Sequence, residues 1–136
     1  DRDGDLDFIT SVAKMTWGAF GGQDQKIKCY RNNVIRENFI VFKLIGSEGI
    51  NKNAFGAKVY FNNSDTTMIK TIDNGSGHAS QSSQLLYYGM GSKKSLDELH
   101  IIWPDGVHTH HKNLPVNNKY TIFSNGKIEQ NRYLKE

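Results

Sequence analysis

The chain has 136 residues, of which 37% are hydrophobic and 23% charged, and both values are ordinary for a single soluble globular domain. No run approaches the roughly 18 consecutive apolar residues that a membrane-spanning helix needs, and the single Cys29 excludes an internal disulfide and a cysteine-based zinc cluster. The net charge is +3, and the basic residues are spread over the chain without forming a basic run. This distribution favours a solvated surface over a nucleic-acid-binding patch.

Carboxylates occupy every second position at the start of the chain, where residues 1–7 read Asp-Arg-Asp-Gly-Asp-Leu-Asp. Ca²⁺ takes six to eight oxygen ligands, and without a cation these side chains would repel one another. An EF-hand does not fit, because its twelfth loop position would be Thr10 instead of Glu. The motif predicts a β-associated calcium loop, with an acidic turn lacking a stable ion as the alternative. Because the motif begins at residue 1, the segment is expected to start inside a unit of a larger parent chain.

Two short strands are predicted after the acidic motif, over Leu6–Thr10 and Ile27–Arg31, on either side of a glycine-containing loop. Phe39–Ile45 is a nearly continuous apolar run rich in β-branched and aromatic residues. Its length and the Gly46 that follows favour a strand buried on both faces over a helix.

The remainder of the chain shows short β-prone segments separated by turn residues at intervals of roughly 8–12 residues, which is typical of a sandwich or barrel. One helical turn is predicted at Ser95–Leu99, since Ser95 and Glu98 have the spacing of a helix cap. The predicted fold class is therefore all-β, an antiparallel sandwich or barrel-like domain. Its later strands are predicted at residues 57–61, 67–73, 85–88, 99–103, 107–111 and 120–123, and from residue 127 onward.

The acidic motif with Phe8 and Ile9 resembles the closing half of the calcium loop of FG-GAP/VCBS-type repeats, which form the blades of β-propellers. Ile27–Asn33 is similar to the strand that ends such repeats. The resemblance implies structural Ca²⁺ as the cofactor, with the first loop Asp preceding residue 1. It assigns side-chain ligands to Asp1, Asp3 and Asp7 and a carbonyl ligand to Asp5.

A second resemblance, to the ASPIC/UnbV domain, extends from about Asn33 to Tyr133. It departs mildly at Tyr88, where Phe is usual, and at Met90, where Leu is usual. Together the two resemblances predict a repeat fragment over residues 1–33 and an ASPIC/UnbV-like β domain over residues 34–136. The motifs that carry the second one are Phe39–Gly46, Asn53–Val59, Ser80-Gln81, Tyr87–Gly91 and Ile101–Gly106.

The residues of these motifs are most simply structural. Gly56 is suited to a tight corner, and Gly89 and Gly91 to positive φ or close backbone approach. Trp103 is interpreted as a core aromatic residue, with a sugar- or partner-stacking platform as the alternative. Ser80-Gln81 is interpreted as bracing its loop, with hydrogen bonding to a ligand as the alternative.

Histidines cluster in one predicted strand, where His108 and His110 share a face and His111 points to the other. Two imidazoles are too few for a transition-metal site without a carboxylate or another histidine nearby. His78 and His100 are candidates only if the fold brings them close. Exposed strand histidines are the simpler interpretation.

No nucleophile–base pair, phosphate loop or nucleophile elbow is found, so the protein is not expected to be an enzyme. The sequence favours a calcium-stabilised, extracellular or cell-surface scaffold or adhesion module that binds a protein or glycan partner and the rest of its parent chain. The alternative is a carbohydrate-binding module, or an accessory subunit of a surface glycan-uptake or enzyme complex. The stacking surfaces considered for a sugar are Trp17, Trp103, Tyr87 and Tyr88.

Overall fold

The computed structural model describes residues 6–10, 27–33, 37–64, 66–75, 77 and 80–132. The chain divides into two units between residues 36 and 37. Residues 34–36, beside the predicted junction, lie outside the described part, so the predicted domain bounds stay a prediction.

The first unit contains a pair of short antiparallel strands, β1 (Phe8–Thr10) and β2 (Lys28–Tyr30). Phe8 lies opposite Tyr30, and their rings stack with centroids 4.6 Å apart. Such cross-strand aromatic pairs are the contacts that hold two strands in register. Both strands were predicted from the sequence and are confirmed.

The second unit consists of two four-stranded sheets. Sheet 1 has the strand order β10-β9-β3-β6, and sheet 2 has the order β5-β4-β7-β8. The described residues contain no helix, so the predicted all-β class is confirmed. The strands are β3 (Asn38–Ile45), β4 (Lys58–Asn63), β5 (Thr66–Thr71), β6 (Leu86–Gly91), β7 (Ser95–Ile102), β8 (His108–Pro115), β9 (Asn118–Phe123) and β10 (Ile128–Arg132).

An aromatic core joins the two sheets into a sandwich-like domain. Phe42 of sheet 1 lies between Phe61 of sheet 2, at 5.6 Å, and Tyr120 of sheet 1, at 5.8 Å. Tyr88 stacks on Phe61 at 4.8 Å, and all four residues are buried. Rings of this size remove a large apolar area from water, which is the main favourable contribution to folding.

Strand β3 is buried on both faces, as its apolar run predicted, since Ile40, Val41 and Phe42 are all inaccessible to solvent. It lies at the centre of sheet 1, antiparallel to β6 and parallel to β9. The parallel pair differs from the purely antiparallel sheets that the sequence predicted. It is possible because β9 reaches sheet 1 from β8 of sheet 2, and a strand arriving by such a crossover can take either direction.

The helical turn predicted at Ser95–Leu99 is wrong, because these residues form the first part of β7. The capping signal of Ser95 and Glu98 is local, whereas β7 pairs with β4 on one side and β8 on the other. Leu96 and Leu99 are fully buried in the core of the sandwich. Sheet pairing and burial therefore outweigh the short-range preference.

Two of the predicted special glycines adopt positive φ. Gly56 has φ 91° at the corner before β4, where the neighbouring Ala57 is fully buried. Gly91 has φ 56° beside a register shift in which β6 carries one extra residue, Met90, opposite β3. Gly89 has neither a positive φ nor a close neighbour, so the expectation is wrong at that position.

Candidate functional site

The hairpin of β7 and β8 brings three histidines to the outer face of sheet 2. The antiparallel register places His100 opposite His110, and Ile102 opposite His108. Leu99, the neighbour of His100 in the strand, is fully buried in the core. Because successive strand residues point to opposite faces, His100 faces outward with the two histidines of β8.

The three imidazoles are in direct contact. His100 Nε2 lies 3.0 Å from His108 Nδ1, which is hydrogen-bond distance. The rings of His100 and His110 stack with centroids 4.2 Å apart and an interplanar angle of 4°. One ring nitrogen from each residue lies within 4.8 Å of the other two. His108 and His110 are exposed and His100 is half-buried, so the cluster faces solvent.

Residues of the adjoining strands border the cluster. Tyr60 of β4 lies opposite His100 and stacks on it, with ring centroids 5.2 Å apart. Glu98 Oε1 lies 3.4 Å from His110 Nδ1, and Asn62 Nδ2 donates to Glu98 Oε2 at 3.4 Å. A carboxylate that accepts from an imidazole N–H selects the tautomer with the other ring nitrogen unprotonated.

The electrostatics of the site favour a neutral His100 beside an ionised Glu98. Partial burial lowers the pKa of His100, and the neighbouring His110 and His108 lower that pKa further. The hydrogen bond from Asn62 is the main cause that lowers the pKa of Glu98, and His110 also contributes. A neutral imidazole keeps one nitrogen lone pair, which is the group that binds metal ions.

His111 takes no part in this cluster. It lies opposite the buried Leu99 and faces the core side of sheet 2, as the period of the strand predicted. Its Nε2 is buried and has no hydrogen-bond partner among the described residues. Burial lowers the pKa of His111, and the adjacent His110 lowers it further. His78, the other histidine considered, lies outside the described residues.

The sequence made the contribution of His100 conditional on the fold, and the fold brings it to the other two histidines. A signal for this pairing was present in the sequence. Pro104-Asp105-Gly106 was predicted to turn residues 99–103 back against residues 107–111. A tight turn centred on Asp105 places residues equally distant from it opposite each other, which pairs His100 with His110.

The predicted calcium ligands are described only at their last position. Asp1, Asp3 and Asp5 lie outside the described residues. Asp7 directly precedes the β1–β2 pair, and its Oδ1 accepts a hydrogen bond of 2.8 Å from the backbone N–H of Asn32. Asn32 follows β2, so this bond ties the end of the acidic motif to the neighbouring strand.

Two of the four aromatic residues considered as sugar-stacking surfaces lie in the core. Trp103 is 1% exposed, and its indole Nε1–H donates to Thr109 Oγ1 at 3.0 Å, so its interpretation as a core residue is confirmed. Tyr88 is buried between the sheets. Tyr87 is half-buried, and Trp17 lies outside the described residues. Trp103 and Tyr88 therefore offer no ring face to a ligand.

A polar cleft of about 230 Å³ borders the end of β5 and the loop that leads to β6. Ser80, Ser82 and Ser83 line it on one side, and Thr71 and Asp73 on the other. Ser80 also forms a β-bridge with Gly77, which agrees with a loop-bracing role for this residue.

The two facing sheets and their aromatic core define an all-β, sandwich-like domain. A family model described as ASPIC and UnbV matches residues 47–129, a segment that includes the histidine cluster and Trp103. Because the match covers more than half of the chain, the chain belongs to the ASPIC and UnbV family. The match does not extend to residues 1–33, for which the resemblance to an FG-GAP/VCBS repeat stays a prediction.

No curated protein and no solved structure matches the chain. Among the described residues, no helix has the length and apolar character required to cross a bilayer.

Proposed function

We propose that this chain is a calcium-stabilised binding or scaffold module of an extracellular or cell-surface protein, and that it acts without catalysis. The observation that carries the calcium assignment is the hydrogen bond from the Asn32 backbone to Asp7 Oδ1 beside the β1–β2 pair. It attaches the final carboxylate of the acidic motif to a paired strand.

This attachment supports an ion site for two physical reasons. A carboxylate that accepts a backbone N–H is stabilised in its ionised form, which is the form that binds a cation. It is also held in place, so less conformational freedom is lost when the ion binds. In the proposal the side chains of Asp1 and Asp3 and the carbonyl of Asp5 supply further oxygens, and bound Ca²⁺ offsets the repulsion among the carboxylates.

The exposed apolar surface of the first unit supports a further part of the proposal, which is that this unit packs against the rest of a larger parent chain. An isolated pair of strands is only marginally stable in water. In addition, five large apolar side chains on and beside β1 and β2 are exposed. Covering them with another β repeat would remove this surface from water. These side chains are Leu6, Phe8, Ile9, Ile27 and Tyr30.

The residues of the family motifs have structural roles, which supports a binding role over catalysis. Gly56 and Gly91 serve a corner and a strand irregularity, and Trp103 fills the core. Residues used for packing support a rigid domain whose outer surfaces are available to a protein or glycan partner.

Isothermal titration with CaCl₂ tests the proposal in the chain extended at its amino end to include the predicted first loop Asp, which precedes residue 1. We expect one Ca²⁺ per chain, with binding lost in Asp3→Ala and in Asp7→Ala. The matched control is Glu48→Gln, which removes one exposed carboxylate outside the motif and should leave calcium binding unchanged. Equal heats for the unsubstituted chain and the two Asp variants would contradict the proposal.

A further inference from the structure

We propose that His100, His108 and His110 form a binding site for a divalent transition-metal ion such as Zn²⁺ on the outer face of sheet 2. This site is independent of the predicted calcium loop. It uses nitrogen donors, which suit Zn²⁺, Cu²⁺ and Ni²⁺, whereas Ca²⁺ prefers oxygen. The two ions would therefore bind to the same chain without competing for one site.

The distances among the imidazoles fit such an ion. With Zn–N bonds of about 2.0–2.1 Å, two nitrogens on a tetrahedral zinc are about 3.3 Å apart. His100 Nε2 and His108 Nδ1 are 3.0 Å apart, and one ring nitrogen of each of the three histidines lies within 4.8 Å of the other two. Closing the wider separation takes about 1.5 Å of movement, which rotation about the broad χ2 torsion of histidine can supply without moving the backbone.

The hydrogen bond of His110 to Glu98 determines which ring nitrogen of His110 is free to bind the metal ion. When His110 Nδ1–H donates to Glu98 Oε1, the lone pair of the imidazole is on Nε2, which becomes the metal-binding atom. Asn62 holds the second oxygen of Glu98, so the carboxylate is itself anchored to β4. Glu98 is thus a positioning residue for the metal site, and it orients His110 through this bond.

The framework of the site is rigid. His100 and His110 come from directly paired positions of β7 and β8, and Tyr60 stacks on His100 from β4. The fold therefore fixes the backbone positions of the donors, and rotation of the imidazoles out of their stacked arrangement brings the nitrogens onto the ion. Three protein nitrogens leave the fourth tetrahedral position open to water, because His108 and His110 face solvent.

Titration with ZnCl₂ in a non-coordinating buffer containing excess CaCl₂ tests the proposal, since calcium then occupies the oxygen sites. We expect one Zn²⁺ per chain. Glu98→Ala should weaken binding by about 10–100-fold, the usual effect of removing an outer hydrogen-bond partner. His108→Ala and His110→Ala should weaken it further, whereas His111→Gln, on the opposite face of the same strand, should keep the affinity of the unsubstituted chain.

Zinc binding that is equal in the unsubstituted chain and the His108 and His110 variants would overturn the proposal, as would no binding. NMR of the unsubstituted chain gives a second measurement that does not depend on any variant folding. One equivalent of ZnCl₂ should shift the ring signals of His100, His108 and His110 and leave those of His111 in place. Unmoved ring signals for the three would also overturn the assignment.

Discussion

The half-buried His111 has, on the apolar side of its strand, a ring nitrogen without a hydrogen-bond partner in the part of the chain that the structure describes. Its Nε2 has no hydrogen-bond partner among the described residues, although it is buried against the core side of sheet 2. Leaving a polar group in this state costs about 1–3 kcal/mol. We therefore expect His111 to lower the stability of the sandwich.

His111→Val is expected to stabilise the domain by about 1 kcal/mol, because it removes the unpaired nitrogen and places a β-branched side chain in a strand. Urea unfolding at pH 8 with a chelator present measures the change. His108→Val, on the solvent side of the same strand, is the control and should change stability by less than about 0.5 kcal/mol. A lower unfolding midpoint for His111→Val would contradict this interpretation.

Tyr120 combines a buried ring with a satisfied hydroxyl. The residue is 2% exposed, and its hydroxyl donates to the Pro115 carbonyl at 2.9 Å. Burial is the main cause that raises the pKa of Tyr120 above its ordinary value of 10.0. Between the ordinary pKa and the raised one, the unfolded chain ionises this residue while the folded chain keeps it neutral. Its contribution to stability is therefore complete below pH 10 and is lost as the pH rises further.

Tyr120→Phe should cost about 1 kcal/mol at pH 8 through the lost hydrogen bond. The stability difference between the unsubstituted chain and Tyr120→Phe should then shrink as the pH is raised above 10, because Phe does not ionise. Urea unfolding at several alkaline pH values measures this difference. A difference that grows with pH would show that the linkage has the opposite sign.

Among the elements, β6 shows how a strand accommodates an extra residue. Met90 lies between two residues that pair with neighbouring positions of β3, and Gly91 absorbs the irregularity with φ 56°. A side chain in this left-handed conformation costs roughly 1–2 kcal/mol. Gly89, two residues earlier in the same strand, has no such conformation and no close neighbour.

The two glycines form a matched pair for mutation. Gly91→Ala should lower stability by about 1 kcal/mol or more, whereas Gly89→Ala should be neutral or slightly stabilising, since it restricts only the unfolded chain. Thermal melting of both variants compares them directly. Equal losses at the two positions would indicate that strand pairing, and not the positive φ of Gly91, requires glycine.

Most strands could be predicted from the sequence because their signal is local, as the apolar run of β3 and the turn after Trp103 illustrate. The face of each β8 histidine followed in the same way from the period of two residues. Asn113 is a different case. It has a φ of 53° and lies between His111 and Leu114, which pair with the buried Leu99 and Leu96 although they are three residues apart. Such an irregularity depends on pairing with β7 and has no signature in β8 alone.

At the scale of the whole molecule, the features that the sequence did not predict are those set by pairing between distant strands. The parallel contact of β9 with β3 and the position of β7 between β4 and β8 depend on how distant segments meet. The histidine cluster depends on the same pairing, because Glu98 and His100 come from β7 and their partners from β8 and β4. The acidic motif, in contrast, was recognisable from adjacent residues.

The chain combines two proposed cation sites with different donor chemistry, of which the sequence predicted only the first. Asp7 belongs to an oxygen-donor motif beside β1, and the three histidines form a nitrogen-donor cluster on sheet 2. Calcium should therefore leave the histidine ring signals unchanged in NMR spectra, and zinc at one equivalent should leave the Asn32 amide unchanged. A shift of the Asn32 amide by zinc in the presence of excess calcium would indicate that the two ions share ligands.

The hydrogen bond between Asn32 and Asp7 gives the most direct measurement of calcium binding by the acidic motif. In the chain extended to include the first loop Asp, the Asn32 amide signal should shift during a CaCl₂ titration, reach saturation at one Ca²⁺ per chain, and lose this response in Asp3→Ala. An Asn32 amide that does not move at any calcium concentration would contradict the calcium-stabilised module.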